Sequence, residues 1–160
     1  MRKTLQGLKV AILAANGFDQ QDFTETQKLL NAAGAGVKVV SPDQGLVNGW
    51  EGTGWGHHFP VDQQLATALG ADFDMLVVPG GQRSMDKLKT TAHTKRIVNS
   101  FMSAGKKVVM FGDAVSLLDF AGQDTDVSVH GNVMVVANAD DVAAIVPFLA
   151  QQDVQIPEAA

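Results

Sequence analysis

Apolar residues in this chain gather in short dense runs that end at glycine, and between those runs they recur at three- and four-residue spacing. Residues 8–15 are apolar except for Lys9 and stop at Asn16-Gly17. Such a run, with its β-branched members, predicts a strand covered on both faces, as in a parallel sheet. Over residues 22–34 the pattern turns helical. Phe23, Thr26, Leu29, Leu30 and Ala33 share one face, and Gly34 stands where a helix-ending glycine belongs. Gly36–Ser41 predicts a second strand, closed by Pro42. Strand, helix and strand within the first 41 residues form the unit of a doubly wound α/β sheet.

The alternation continues with a strand over 74–78, halted by Pro79-Gly80-Gly81. A helix comes next over 91–104, with Ile97, Val98, Phe101 and Met102 on one face and Gly105 at its end. Lys107–Phe111 is the next strand, and Gly112-Asp113 makes a tight junction into a helix over 114–121. Residues 128–136 predict a hairpin turning at Gly131-Asn132, residues 140–151 a last helix, and residues 152–160 a loose tail. Residues 44–62 break the texture, with five glycines, both tryptophans and His57-His58. Short strand pieces at one sheet edge are expected there. The expectation is one α/β domain over 1–160, with its core at about 8–150.

Composition narrows the function classes. The 160 residues are 46% hydrophobic and 18% charged, with a net charge of −5. That balance excludes intrinsic disorder and argues against a nucleic-acid partner, which needs a basic face. No apolar run approaches the roughly 20 residues of a membrane span, and no cleavage signal stands after the first run. A cytoplasmic location and no membrane partner are therefore expected, and the start at Met1 with a short tail favours a free-standing chain. Cysteine is absent, which excludes disulfides, thiolate metal sites and thiol nucleophiles.

In open parallel sheets ligands bind beyond the carboxyl ends of the strands. Three such ends are candidates: Asn16-Gly17-Phe18-Asp19, Pro79-Gly80-Gly81-Gln82 and Gly112-Asp113-Ala114. Each joins a strand to glycine and then to a helix, although βα loops also use glycine simply to turn. Neither of the glycine-rich phosphate-binding patterns stands after the first strand. His57 and His58 are adjacent, so on a strand they point to opposite faces, and no metal site or cofactor is implied. His93 and His130 are expected at the surface. Trp50 and Trp55 are expected to pack within the glycine-rich excursion, with pocket lining or an oligomer contact as the alternative.

The wording and order of these pieces resemble the DJ-1/PfpI family, whose members include intracellular proteases and amidases, glyoxalases or deglycases, chaperone-like stress proteins and transcription regulators. The matching text is Lys9-Val10-Ala11-Ile12-Leu13, Gly17-Phe18-Asp19 and Thr24-Glu25, then Phe73-Asp74-Met75-Leu76-Val77-Val78-Pro79-Gly80-Gly81 and Ala104-Gly105-Lys106-Lys107-Val108. Gly49-Trp50, Trp55-Gly56 and Phe59-Pro60-Val61-Asp62 resemble the PfpI-like branch. The resemblance covers about residues 8–149. It implies a flavodoxin-like three-layer α/β sandwich with a mostly parallel sheet, class I glutamine amidotransferase-like, and a homo-oligomer, a dimer or larger, with residues 50–59 as a candidate contact face.

The resemblance also implies a cysteine nucleophile at a strained strand-to-helix elbow, a carboxylate beside it, and backbone amides serving as an oxyanion site. Here the nucleophile position falls on Gly112, the adjacent histidine position on Asp113 and the next glycine on Ala114. The carboxylate falls on Asp19 and the amides on Gly80-Gly81. The scaffold is kept and the nucleophile lost. Asp113 is read first as the N-cap of the elbow helix, bonding amides near Val115 or Ser116. The alternative pairs it with Asp19 as acid/base groups of a residual hydrolase or lyase. Only residues 122–127 separate the elbow helix from the expected hairpin, where PfpI-like proteins carry a longer segment. The expectation is a non-catalytic ligand-binding or stress-related protein with Asp19, Gly80, Gly81, Gly112, Asp113 and Ala114 around a small-molecule site. A structural or interaction domain is the further alternative.

Overall fold

The computed structural model describes residues 5–150. In chain order the strands are β1 (Lys9–Leu13), β2 (Phe18–Asp19), β3 (Gly36–Ser41), β4 (Leu46–Trp50), β5 (Trp55–Pro60), β6 (Gln63–Gln64), β7 (Met75–Val78), β8 (Lys107–Phe111) and β9 (Val133–Val136). The helices are α1 (Gln20–Ala32), α2 (Gln82–Leu88), α3 (Ala92–Ala104), α4 (Ser116–Phe120) and α5 (Ile145–Ala150). Six strands form one sheet in the order β6-β3-β1-β7-β8-β9, and every pairing within it is parallel.

Strand residues alternate between the two faces. Ala11, Leu13, Leu76, Val78, Val108 and Met110 pack with Leu88, Ile97, Phe101 and Leu117 from α2, α3 and α4. Val10, Ile12, Val77, Val109 and Phe111 pack with Phe23 and Leu30 of α1 and Ile145 and Leu149 of α5. The sheet is covered on both sides, which is why its strands read as continuous apolar runs. The layers are helix, sheet and helix, the doubly wound α/β arrangement that the sequence pattern predicts and the flavodoxin-like sandwich that the resemblance implies.

Helix ends obey local chemistry. Thr91 caps α3 by accepting from His93 N–H at 3.2 Å, and Gly105 closes it in the left-handed conformation at φ 68°. α1 begins earlier than the apolar pattern suggests, because Asp19 caps it by accepting from Asp22 N–H at 2.9 Å. The segment expected to be helical over 114–121 is a 3-10 turn, Gly112–Val115, followed by α4. The last helix is likewise split, with the 3-10 stretch Ala139–Ala144 ahead of α5. The tail expected over 152–160 lies outside the described residues.

The hairpin expected over 128–136 does not form. Asp126 accepts from Ser128 N–H at 3.1 Å and from Ser128 Oγ at 2.6 Å, and these bonds hold its carboxyl below the ordinary aspartate range. They curl Val127–Val129 into a 3-10 turn and remove the first arm. The Gly131-Asn132 turn feeds β9 onto β8 in parallel, with Asn132 O accepting from Val108 N–H at 2.8 Å.

The glycine-rich excursion is a second sheet, β2-β4-β5, in which β4 and β5 are antiparallel and β2 lies parallel to β4. Gln20, buried at the start of α1, joins it to the main body. Its Oε1 accepts from His57 N–H at 2.6 Å and its Nε2 donates to Glu51 at 3.3 Å. A Cβ on Gly49 would lie 2.8 Å from Gln20 Cβ, and one on Gly56 would collide with Gln20 Oε1. The two glycines thus form the slot that admits the amide. Gln20→Ala leaves that slot empty and the His57 N–H without its acceptor. It should cost about 2 kcal/mol in urea unfolding, with His57 among the amides whose hydrogen exchange accelerates most.

Candidate functional site

Three loops converge beyond the carboxyl ends of β1, β7 and β8. The turn after β7 docks into the loop after β1. Gly80 O accepts from Asp19 N–H at 2.7 Å, and a Cβ on Gly81 would stand 2.6 Å from Gly17 O and 3.1 Å from Phe18 Cα. Gly81 also has φ 122°, outside the range of ordinary side-chain-bearing residues. Only glycine permits this approach.

Each amide of the glycine pair is bonded by a carboxylate. Gly80 N–H donates to Asp22 Oδ2 at 3.2 Å, and Gly81 N–H donates to Asp113 Oδ1 at 2.9 Å. The Cβ that Gly80 lacks would lie 3.1 Å from Asp113 Oδ1, 3.3 Å from Asp22 Oδ2 and 3.0 Å from Phe111 O. The two acids that meet here are therefore Asp22 and Asp113. Asp22 is buried, and it is not among the acids that the sequence pattern singles out; Asp19 is.

The reason lies in the first turn of α1. Asp19-Gln20-Gln21-Asp22 has the spacing of a capping box, in which the acid at the third helical residue returns to the N–H of the capping residue. Here that N–H is already taken by Gly80 O, and the Asp22 carboxylate turns to Gly80 N–H instead. The acid three residues after the cap is the signal that could have found it. The carboxylate of Asp19 caps α1.

The reading of Asp113 as an N-cap is likewise corrected, since neither the 3-10 turn that contains it nor α4 has a side-chain cap. Its carboxylate crosses to Gly81 because the left-handed Gly112, at φ 50°, swings the chain off β8 toward the β7 turn. A Cβ on Gly112 would meet its nearest atom outside the adjoining residues, Ala137 O, at 3.5 Å. The elbow is thus open enough for a side chain and carries none. Ala114, behind it, is fully buried. Beside the site, Trp50 and Trp55 pack edge to face with ring centres 5.3 Å apart, and Trp50 Nε1 donates to Gly52 O at 3.0 Å. Among the described residues no three His, Asp or Glu side chains group as metal ligands.

The family model described as the DJ-1/PfpI family matches residues 8–144. The chain belongs to the DJ-1/PfpI family. Among curated relatives, catalase HPII of Mycobacterium avium is 32% identical over 133 residues, which are 78% of this chain and 18% of the catalase. General stress protein 18 of Bacillus subtilis is 30% identical over 103 residues, 64% of this chain and 58% of that protein. The chain thus spans less than two thirds of the length of either. A solved two-domain protein of Anabaena variabilis, containing DJ-1/ThiJ/PfpI-like and ferritin-like domains, superposes with a TM-score of 0.76 at 22% identity, covering 89% of this chain and 47% of that one. The likeness establishes the DJ-1/PfpI fold around the elbow and the glycine pair.

Two of the site glycines with positive φ, Gly81 and Gly112, should respond differently to substitution. Gly112→Ala places a methyl group at ordinary contact distance from Ala137 O and costs only the left-handed backbone, about 1–2 kcal/mol. Gly81→Ala drives a methyl group into Gly17 O and should cost more than about 3 kcal/mol. Urea denaturation of the two variants side by side checks the order.

Proposed function

We propose that this DJ-1/PfpI protein works without the family's thiol reaction, as a non-catalytic ligand-binding or stress-related protein. One observation carries the reading: the chain's own carboxylates, Asp22 and Asp113, take both amides of the Gly80-Gly81 pair, at a site whose elbow residue is glycine in a chain without cysteine. An oxyanion site works by holding backbone donors ready for negative charge that develops during the reaction. Carboxylates already on those donors occupy them and repel the developing charge. The stress-related part of the proposal leans on the relative named general stress protein 18. Self-association as a homo-oligomer, a dimer or larger, belongs to the same proposal and rests on the family resemblance.

A structural or interaction role is the second reading. It is favoured by the way related sequence sits inside larger proteins: the match covers 18% of the Mycobacterium catalase and 47% of the Anabaena two-domain chain. A residual hydrolase or lyase built on a carboxylate pair is the remaining alternative, and the geometry makes Asp22 with Asp113, rather than Asp19 with Asp113, the pair to examine.

The test is a turnover screen of the purified chain with α-oxoaldehydes and with peptide and amide substrates, alongside Asp113→Asn. The expected result is no turnover above buffer for either protein. Turnover by the unmodified chain that disappears in Asp113→Asn would overturn the proposal in favour of the carboxylate pair.

A further inference from the structure

Arg83 is held in place without an acid partner. Its stem lies across Gly17, where a Cβ would collide with Arg83 Cβ and come within 3.1 Å of its Cδ. Its guanidinium carbon stands 4.3 Å from the centre of the Trp50 ring and 5.8 Å from that of Trp55. The ion pairs among the described residues, Lys28–Glu25 and Lys87–Asp43, do not include it, and no protein acceptor among those residues takes its N–H groups. Holding an arginine side chain this way costs rotamer freedom. Stacking on an indole face offsets part of that cost but leaves the donors at the edge of the guanidinium plane unused. Those donors form a fork shaped for two oxygens of one carboxylate or phosphate.

Arg83 is one wall of a shallow cleft of about 430 Å³, lined also by Asn16, Trp55, Asp86, Lys87 and Thr90. Trp55 is 55% exposed there, a large ring with an uncovered surface. Lys87 in the lining is already paired with Asp43 at 3.2 Å and Asp86 is the acid there, so among the described residues Arg83 is the unpaired cation of the cleft. We propose that this cleft binds a small ligand carrying an oxyanion on a flat ring, the oxyanion held by the Arg83 fork and the ring stacked on Trp55. The proposal rests on the ligand-binding reading above and gives it a ligand class.

Trp50 and Trp55 are the two tryptophans of a chain without tyrosine, so intrinsic fluorescence reports on this cluster alone. The full chain is titrated with benzoate, AMP, adenosine and inorganic phosphate, with fluorescence and calorimetry as the readouts. Benzoate, AMP or both should bind saturably, with adenosine and phosphate alone weaker by about tenfold or more. Arg83→Lys, which keeps the charge and loses the fork, should weaken the binding by about tenfold. Three results overturn the proposal: no saturable signal for benzoate or AMP up to about 10 mM; unchanged affinity in an Arg83→Gln variant whose thermal melt matches the parent; or sedimentation showing a self-association that Trp55→Glu abolishes, which assigns the face to a second copy. Neither the titration nor the sedimentation bears on turnover. Failure of the binding test leaves the non-catalytic reading standing, and turnover lost in Asp113→Asn leaves this binding result untouched.

Discussion

The site depends on the docking of the β7 turn into the loop after β1. The Asp19 N–H to Gly80 O bond at 2.7 Å and the missing Cβ of Gly81 against Gly17 O bring two backbones closer than any side chain would allow. That contact sets the rest of the site. Because Gly80 O holds the capping residue's N–H, the Asp22 carboxylate swings to Gly80 N–H. Because Gly81 is drawn toward β2, its own N–H comes within reach of Asp113. The same docking lays the stem of Arg83, two residues on, across Gly17. Charge placement at this end of the sheet is therefore a consequence of backbone packing.

Much of the fold is legible in the sequence because the decisive signals are local. Residues 8–15 and 74–78 read as buried strands since both faces of the sheet are covered and no polar alternation is needed. Thr91 and Gly105 bound α3 by short-range capping chemistry. Pairing direction is a different matter. The Gly131-Asn132 turn looks like a hairpin from its neighbours alone, and only the edge of β8, on the far side of α4, makes β9 a parallel partner. The site divides the same way. Its glycines and elbow are visible as strand-ending motifs, whereas the choice of Asp22 over Asp19, and the direction of Asp113, are set by hydrogen bonds that cross between elements. A sequence pattern names the residues near a site more readily than it says which N–H each will find.

The elbow illustrates how loss of a nucleophile interacts with stability. A residue with a side chain at φ 50° carries backbone strain that the surrounding fold must offset, a familiar cost of reactive turns. Gly112 adopts that conformation without steric penalty, so this chain keeps the shape of the turn with less strain. Asp113 bonding Gly81 N–H works in the same direction, since it satisfies a donor that a working oxyanion site leaves open for the reacting group.

The register of the main sheet bears on how the molecule assembles. β1 joins β3 across 27 residues, β7 joins β8 across 32, and β8 joins β9 across 25, whereas β1 meets β7 across 65. Two halves can thus zip from near neighbours, and the seam between them closes over the longest separation. Each doubling of loop length adds only about 0.6 kcal/mol of closure entropy, so the seam is a small thermodynamic burden, but contacts distant in sequence form late. The glycine turn and the loop after β1 lie on the two sides of that seam. The candidate site therefore comes together only when the two halves of the sheet meet.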